Sequence, residues 1–236
     1  TYLGLSDDDF RDTPNRRYPA SQLAKFSSQH YNAVLNYSAS LGKFNATNIK
    51  VYWNKFDRSW NKLDRFWRGP ALQRILQMPY QYQMYYSILT GERDSAESPD
   101  QTLDVTNNHR KYQSAGFQWT ISDFREVWGL AVDTSIGLRF HTDQVKRNHQ
   151  PTTYLMTDYK MVPDGIPRPA KVKNKASTDA LAAYITSQLS LGAVSLTVGV
   201  RHEDIEGEVL NYIADTVKGQ EQRLTAASVS GIWQIT

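Results

Sequence analysis

Alternation of apolar and polar positions is the clearest signal in the chain, and it is cleanest from Gly129 to His141, GLAVDTSIGLRFH. Leu130, Val132, Thr134, Ile136, Leu138 and Phe140 share one parity; Ala131, Asp133, Ser135, Gly137, Arg139 and His141 share the other. Successive side chains of a strand point to opposite faces, so this stretch predicts a ribbon with one uncharged apolar face and one polar face.

The same pattern recurs. Tyr31, Ala33, Leu35, Tyr37, Ala39 and Leu41 face one way; Ile49, Val51 and Trp53 begin a second strand, whose phase blurs at Phe56 and Trp60 and suggests a bulge. Ala115, Phe117, Trp119 and Ile121 define a third, ahead of the strand from Gly129. Leu181, Ala183, Ile185, Leu189 and Leu191 mark the next, then Val194, Leu196, Val198 and Val200. A last strand carries Ala227, Val229, Gly231, Trp233 and Ile235, which makes seven. Residues 1–30, with Pro14 and Pro19 and no sustained period, read as a loop. A long excursion from about Arg58 to Arg110 holds Leu72, Ile75 and Leu76, then Tyr82, Tyr85, Tyr86 and Leu89, at helical spacing. Pro79 separates the groups and Gly91 follows the second, so two short helices are expected there. Residues 142–178, with Pro151, Pro163, Pro167 and Pro169, and the stretch leading to about Gln222 read as further loops.

Connections therefore alternate between short turns and long loops, the latter far above the usual length of about 4–6 residues. A soluble β-sandwich also yields one-sided strands, but it has no reason to place every long loop at one end of a meander. A transmembrane β-barrel does. Trp119, Trp128 and Trp233 all fall near the short-turn end, as an interfacial aromatic belt requires. A charge on a lipid face costs about 2–4 kcal/mol at the midplane, which fits the uncharged outward parity. The expected fold class is all-β: a partial transmembrane antiparallel up-and-down barrel with long extracellular loops.

Composition narrows this further. Mean hydropathy is −0.58 and no apolar run reaches roughly 18 residues, so neither a transmembrane helix nor a signal peptide is expected. Barrel strands need only about 9–11 residues, half of them polar, and remain compatible. The net charge of +3 is too small to argue for nucleic acid, and no nucleic-acid partner is expected. The absence of cysteine excludes disulfides and thiolate metal sites.

Several segments resemble the barrel of TonB-dependent outer-membrane receptors, in the ferric dicitrate (iron-chelate and siderophore) branch. They are TYLGLSDDDF at residues 1–10, NRRYPASQL at 15–23, YWNKFDRSWNKLD at 52–64, GLRFHTDQVKRNHQP at 137–151, DGIPRPAKVKNKAST at 164–178 and VGVRHEDIE at 198–206. They occur in the family's order and cover most of the chain. The resemblance implies that residues 1–236 are about seven strands of a barrel of about 22, without the plug domain, signal peptide or C-terminal strands. It also implies the outer membrane of a Gram-negative bacterium, with lipid and lipopolysaccharide around the wall. The cargo would be an anionic iron chelate such as ferric citrate, or a siderophore. The TonB–ExbB–ExbD complex would energise transport through an N-terminal part not present here. A receptor for another nutrient is the alternative within this class; a barrel adhesin or enzyme is the alternative outside it.

Candidate ligand-binding residues are cationic. Arg139 and Arg201 lie on the polar parity of their strands, and a guanidinium matches a carboxylate with a planar fork of donors. Pairing with Asp133 or Glu203 is the competing expectation. Lys146, Arg147, Arg168, Lys171, Lys173 and their neighbours Lys160 and Lys175 make the segment 142–178 basic. It would steer an anionic chelate, or else contact solvent or lipopolysaccharide phosphates. Tyr82, Tyr85 and Tyr86 read as the small core of a folded loop rather than a chelate platform. Asp7, Asp8 and Asp9 read as solvated rather than as a calcium site. His141, His149 and His202 lack metal-ligand spacing. No catalytic constellation, resident metal or cofactor is expected, and the chain reads as a non-enzyme.

Overall fold

The computed structural model describes residues 3–42 and 44–234. In order the elements are α1 (Asp7–Asp12), a 3-10 turn (Pro19–Ser21), β1 (Lys25–Leu41), β2 (Phe44–Phe66), α2 (Leu72–Gln77), α3 (Gln83–Thr90), β3 (Leu103–Val127), β4 (Leu130–Thr157), β5 (Lys160–Pro163), β6 (Val172–Leu191), β7 (Val194–Asn211) and β8 (Thr216–Trp233). The strands form one sheet in the sequential order β1-β2-β3-β4-β6-β7-β8, with β5 paired to β4. Among the described residues no Greek-key crossing occurs, so the sandwich is excluded. The seven expected strands are all present, and the faces assigned to Leu41 and Ile235 lie outside the described side chains.

Strand length is where the structure departs from the sequence reading. The segment 142–178 is mostly strand: β4 continues to Thr157, β5 returns on it with Tyr154 opposite Pro163, and β6 begins at Val172. The stretch expected as a loop before Gln222 is also strand. There β7 and β8 pair from Val194↔Trp233 to Asn211↔Thr216 around a turn at residues 212–215. β2 runs unbroken through Phe56 and Trp60. Likewise residues 1–30 are not all loop. They hold α1, capped by Ser6 Oγ accepting from the Asp9 amide, and the start of β1. The one long excursion that survives, residues 67–102, holds α2 and α3, and Gly91 (φ +80°) ends α3 in the left-handed conformation. A side chain at Gly91 would also collide with Tyr159 and Pro19.

The chain divides into two compact units. A helix-bearing unit comprises Thr1–Gln29, Asp57–Lys111 and Arg147–Asn174. Its core joins Leu63, Leu103, Val105 and Met156 from the strands to Ile75, Ile88 and Leu89 from the helices, all buried. On β3, Leu103 and Val105 face that core, while Asp104 and Thr106, on the other parity, are buried too. Tyr82, Tyr85 and Tyr86 pack against the core, as their helical spacing implies. Asp9 departs from expectation: it accepts hydrogen bonds from Tyr18 and Tyr86 and an ion pair from Arg16, while Asp7 and Asp8 stay exposed.

A sheet unit comprises His30–Phe56, Tyr112–Lys146 and Lys175–Thr236. It has almost no core, Ala182 being its one buried apolar residue among those described. Ile136, Leu138, Phe140, Val200, Leu181 and Ile185 are exposed on the apolar parity, and Leu130, Val132 and Val198 are half-exposed. Apolar side chains left out in this way on every second position are what a strand presents to lipid. Hydroxyls on that parity are satisfied locally: Thr134 pairs with Ser187 at 2.9 Å, and Trp119 Nε1 donates to Thr47 at 2.9 Å. Trp128, in the two-residue turn before β4, is 97% exposed. No helix among the described residues is long and apolar enough to cross a membrane, which says nothing of strands.

Candidate functional site

The polar face of the sheet unit is built by large side chains lying across glycines. Tyr52 on β2 lies over Gly116 on β3, where any Cβ would strike its ring, and its hydroxyl reaches His141 Nδ1 on β4 at 2.6 Å. Tyr184 on β6 lies over Gly137 on β4 in the same way and meets Thr120 on β3 at 3.0 Å. Each tyrosine thus spans a neighbouring strand, which fixes register and covers the bare glycine backbone. These glycines, on the polar parity of strands flanked by tyrosine-bearing ones, were the signal that alternation alone missed.

The candidate arginines sit in this lattice. Arg139 donates to the Tyr52 hydroxyl at 3.4 Å; its Nε is buried without a hydrogen-bond partner, and no carboxylate among the described residues pairs with it. Arg201 is engaged: its Nε donates to Glu203 at 2.6 Å, its Nη2 also reaches that carboxylate, and its guanidinium stands 5.8 Å from the Tyr184 ring. His141 Nε2 lies 3.5 Å from Asp143.

The basic residues of 142–178 separate by strand parity. Arg147 shares the parity of Arg139 on β4, and its Nε is buried without a partner. Lys146 is exposed and shares the parity of Leu138 and Phe140, while Lys173 is exposed and shares that of Leu181 and Ile185 on β6. Both lysines therefore continue the apolar face of their strands.

In the helix-bearing unit the remaining two cations are held. Lys171 pairs with Asp64, which also accepts from Thr106 at 3.0 Å. Arg168, with a side chain only 4% exposed, lies 3.4 Å over the Trp67 ring and 3.6 Å from Asp104. Asp104 has no exposed surface and accepts from Arg65 at 2.9 Å. Asp104, Asp64 and Trp67 were invisible as partners in sequence, because they lie 39 to 107 positions from the groups they meet. No group of three or more His, Asp or Glu side chains suited to a metal occurs among the described residues.

No family model and no curated protein matches the sequence. Solved structures do. The unliganded ferric citrate transporter FecA matches at a TM-score of 0.69 and 17% identity, over 99% of this chain and 29% of that one. The ferric-catecholate import receptor Fiu from E. coli K12, in its open form, matches at 0.62 and 10% identity, over 100% and 38%. BauA, the ferric preacinetobactin receptor from Acinetobacter baumannii, matches at 0.58 and 10%, over 94% and 31%. The chain thus spans about a third of the length of these proteins. At such identities the likeness establishes the fold: this chain is a partial transmembrane antiparallel up-and-down β-barrel.

Proposed function

We propose that the chain is part of the barrel of a TonB-dependent receptor in the outer membrane of a Gram-negative bacterium, importing an anionic iron chelate such as ferric citrate. The observation that carries this reading is the match to the ferric citrate transporter along 99% of the chain. Charge supports the anionic cargo. Arg139 and Arg147 are polar-parity cations with no carboxylate partner among the described residues, so an incoming carboxylate that reaches their guanidinium groups gains charge-assisted hydrogen bonds without first breaking an ion pair. Arg201, Arg168 and Lys171 already have carboxylate partners and hold the wall in shape. Lys146 and Lys173, on the apolar parity, face lipid headgroups or lipopolysaccharide. Energy would come from the TonB complex, as in receptors of this class.

The test is ferric citrate binding to the full-length receptor. Arg139→Ala and Arg147→Ala should each weaken it about ten- to hundredfold, the worth of one charge-assisted hydrogen bond, and Lys146→Ala should leave affinity unchanged. Wild-type affinity in both arginine variants removes the assignment of the cargo to these residues. A full-length receptor that neither binds nor imports any iron chelate ends the transport reading.

A further inference from the structure

The helix-bearing unit carries a groove of about 430 Å³, lined by Asn61 on β2, Asn107 on β3, and Thr152 and Tyr154 on β4. That volume lies in the range of small-ligand sites, about 300–1,000 Å³. Each of these residues shares the parity of a core residue on its own strand, Leu63, Leu103 or Met156, so the groove opens on the face that bears the core. Its polar groups are open rather than spent. Asn107 Nδ2 donates to Ser59 at 2.9 Å, which leaves Oδ1 as an acceptor without a donor. Gln22, at the border of the groove, donates in the same way to the Pro19 carbonyl at 2.9 Å. The Asn61 amide and the hydroxyls of Thr152 and Tyr154 have no partner among the described residues. The unpartnered atoms of Asn61, Asn107 and Tyr154 all keep solvent-accessible surface, so a ligand in the groove can reach them.

We infer that this groove binds a neutral sugar unit, whose hydroxyls donate to the carbonyl oxygens of Asn107 and Gln22 and exchange hydrogen bonds with Asn61, Thr152 and Tyr154. The complement of donors and acceptors selects this class. Asn107 and Gln22 turn their nitrogen ends to protein and offer the groove a carbonyl oxygen, for which a phosphate or carboxylate has no hydrogen. The lining holds a single cation, Lys25, and no carboxylate among its described residues, so charge recognises neither an anion cluster nor a cation. A hydroxyl both donates and accepts, which suits every open group here. The apolar flank of a sugar ring packs on Leu23 and the Tyr154 ring. Free sugars and the sugars of a surface glycan share this chemistry. The inference stands apart from the iron-chelate reading, since Thr152 and Tyr154 lie on the opposite parity of β4 from Arg147 and the ligand is neutral.

The experiment uses full-length receptor in a detergent without a sugar headgroup and saturation-transfer NMR. The probes are the methyl glycosides of glucose, galactose and mannose, and O-polysaccharide released from lipopolysaccharide by mild acid. Binding of a glycoside identifies a free sugar; binding of the polysaccharide alone identifies a surface glycan. Asn61→Leu removes an open amide at nearly constant size, and Thr152→Trp fills the groove from an exposed position. Each should raise the Kd of the bound saccharide about tenfold or more. Inorganic phosphate and acetyl-Ala-Val-Ala-amide should not displace it. The heat-modifiable gel shift shows that the variants are folded. Ferric citrate binding, which Thr152→Trp should leave at its wild-type value, reports on the transport reading separately. The inference is overturned if no saccharide binds wild type, if either folded variant binds like wild type, or if phosphate or the peptide displaces the sugar.

Discussion

The two units solve one problem with different solvents. In the helix-bearing unit, Leu63, Leu103, Val105 and Met156 project from strands and are buried under α2, α3 and the N-terminal segment. In the sheet unit, Ile136, Leu138 and Phe140 project from a strand in the same alternating way and are exposed. Strand periodicity is common to both. What differs is the covering: protein in the first, nothing in the second, where a bilayer would complete the burial. An alternating strand therefore announces one apolar face without announcing what lies against it.

Breaking the protein-covered face should give the largest effect. Phe66 is 1% exposed and meets Tyr85 edge-on at 5.1 Å. Phe66→Ala should cost about 3–5 kcal/mol. Hydrogen exchange on the full-length protein should lose protection across Leu72–Thr90 while the β7–β8 ladder keeps its own. Equal loss in both would mean that the units are not separately stabilised.

The lipid-covered face should respond in the opposite sense to polarity and size. Leu138→Arg should cost about 2–4 kcal/mol near the bilayer midplane, whereas Leu138→Ala should cost much less than the about 2–5 kcal/mol typical of a protein core. Folding yield into phosphatidylcholine vesicles, read from the heat-modifiable gel shift, separates the cases. A tolerated arginine alongside a damaging alanine would place Leu138 against protein.

Legibility follows from the same contrast. Gly129 to His141 announced itself because one face is uncharged and, Thr134 apart, apolar. Farther along β7 and β8, HEDIEGEVLN and TVKGQEQ are polar on both faces, so the period fades although the pairing continues to Asn211↔Thr216. Prolines misled too, since Pro151 sits inside β4 and Pro163 ends β5. The helices were readable because helical spacing and Gly91 are local. Arg139 and Arg201 were readable as polar-face cations, but Tyr52 over Gly116 depends on register between strands, which no single segment carries.

Acid should release the helix-bearing unit first. Burial of Asp9 opposes its ionisation, but hydrogen bonds from Tyr18 and Tyr86 and the charge of Arg16 outweigh it and hold the carboxyl below its usual value. Because the folded value is depressed, this stabilisation is full above the unfolded value of about 3.9 and fades as pH falls through the folded one. Exchange of the α1 and Tyr18 amides should rise below about pH 4 in wild type. Asp9→Asn should show the faster exchange already at neutral pH, by about 1.5–3 kcal/mol for a charged acceptor lost. An acid response unchanged in Asp9→Asn would assign the release to another group.

The smallest effect concerns the tyrosine lattice of the sheet unit. Tyr184 contributes two separable things: a ring that covers Gly137 and faces Arg201, and a hydroxyl that meets Thr120 at 3.0 Å. Tyr184→Phe removes only the second and should cost about 0.5–1.5 kcal/mol, with no change in oligomeric state or vesicle insertion. Tyr184→Ala removes both, leaving Gly137 bare and Arg201 without its ring, and should cost several times more. Urea unfolding in vesicles gives the two values. If phenylalanine proved as costly as alanine, the hydroxyl contact and not the ring over glycine would hold this face together. The sheet unit would then depend on polar contacts where its geometry puts packing.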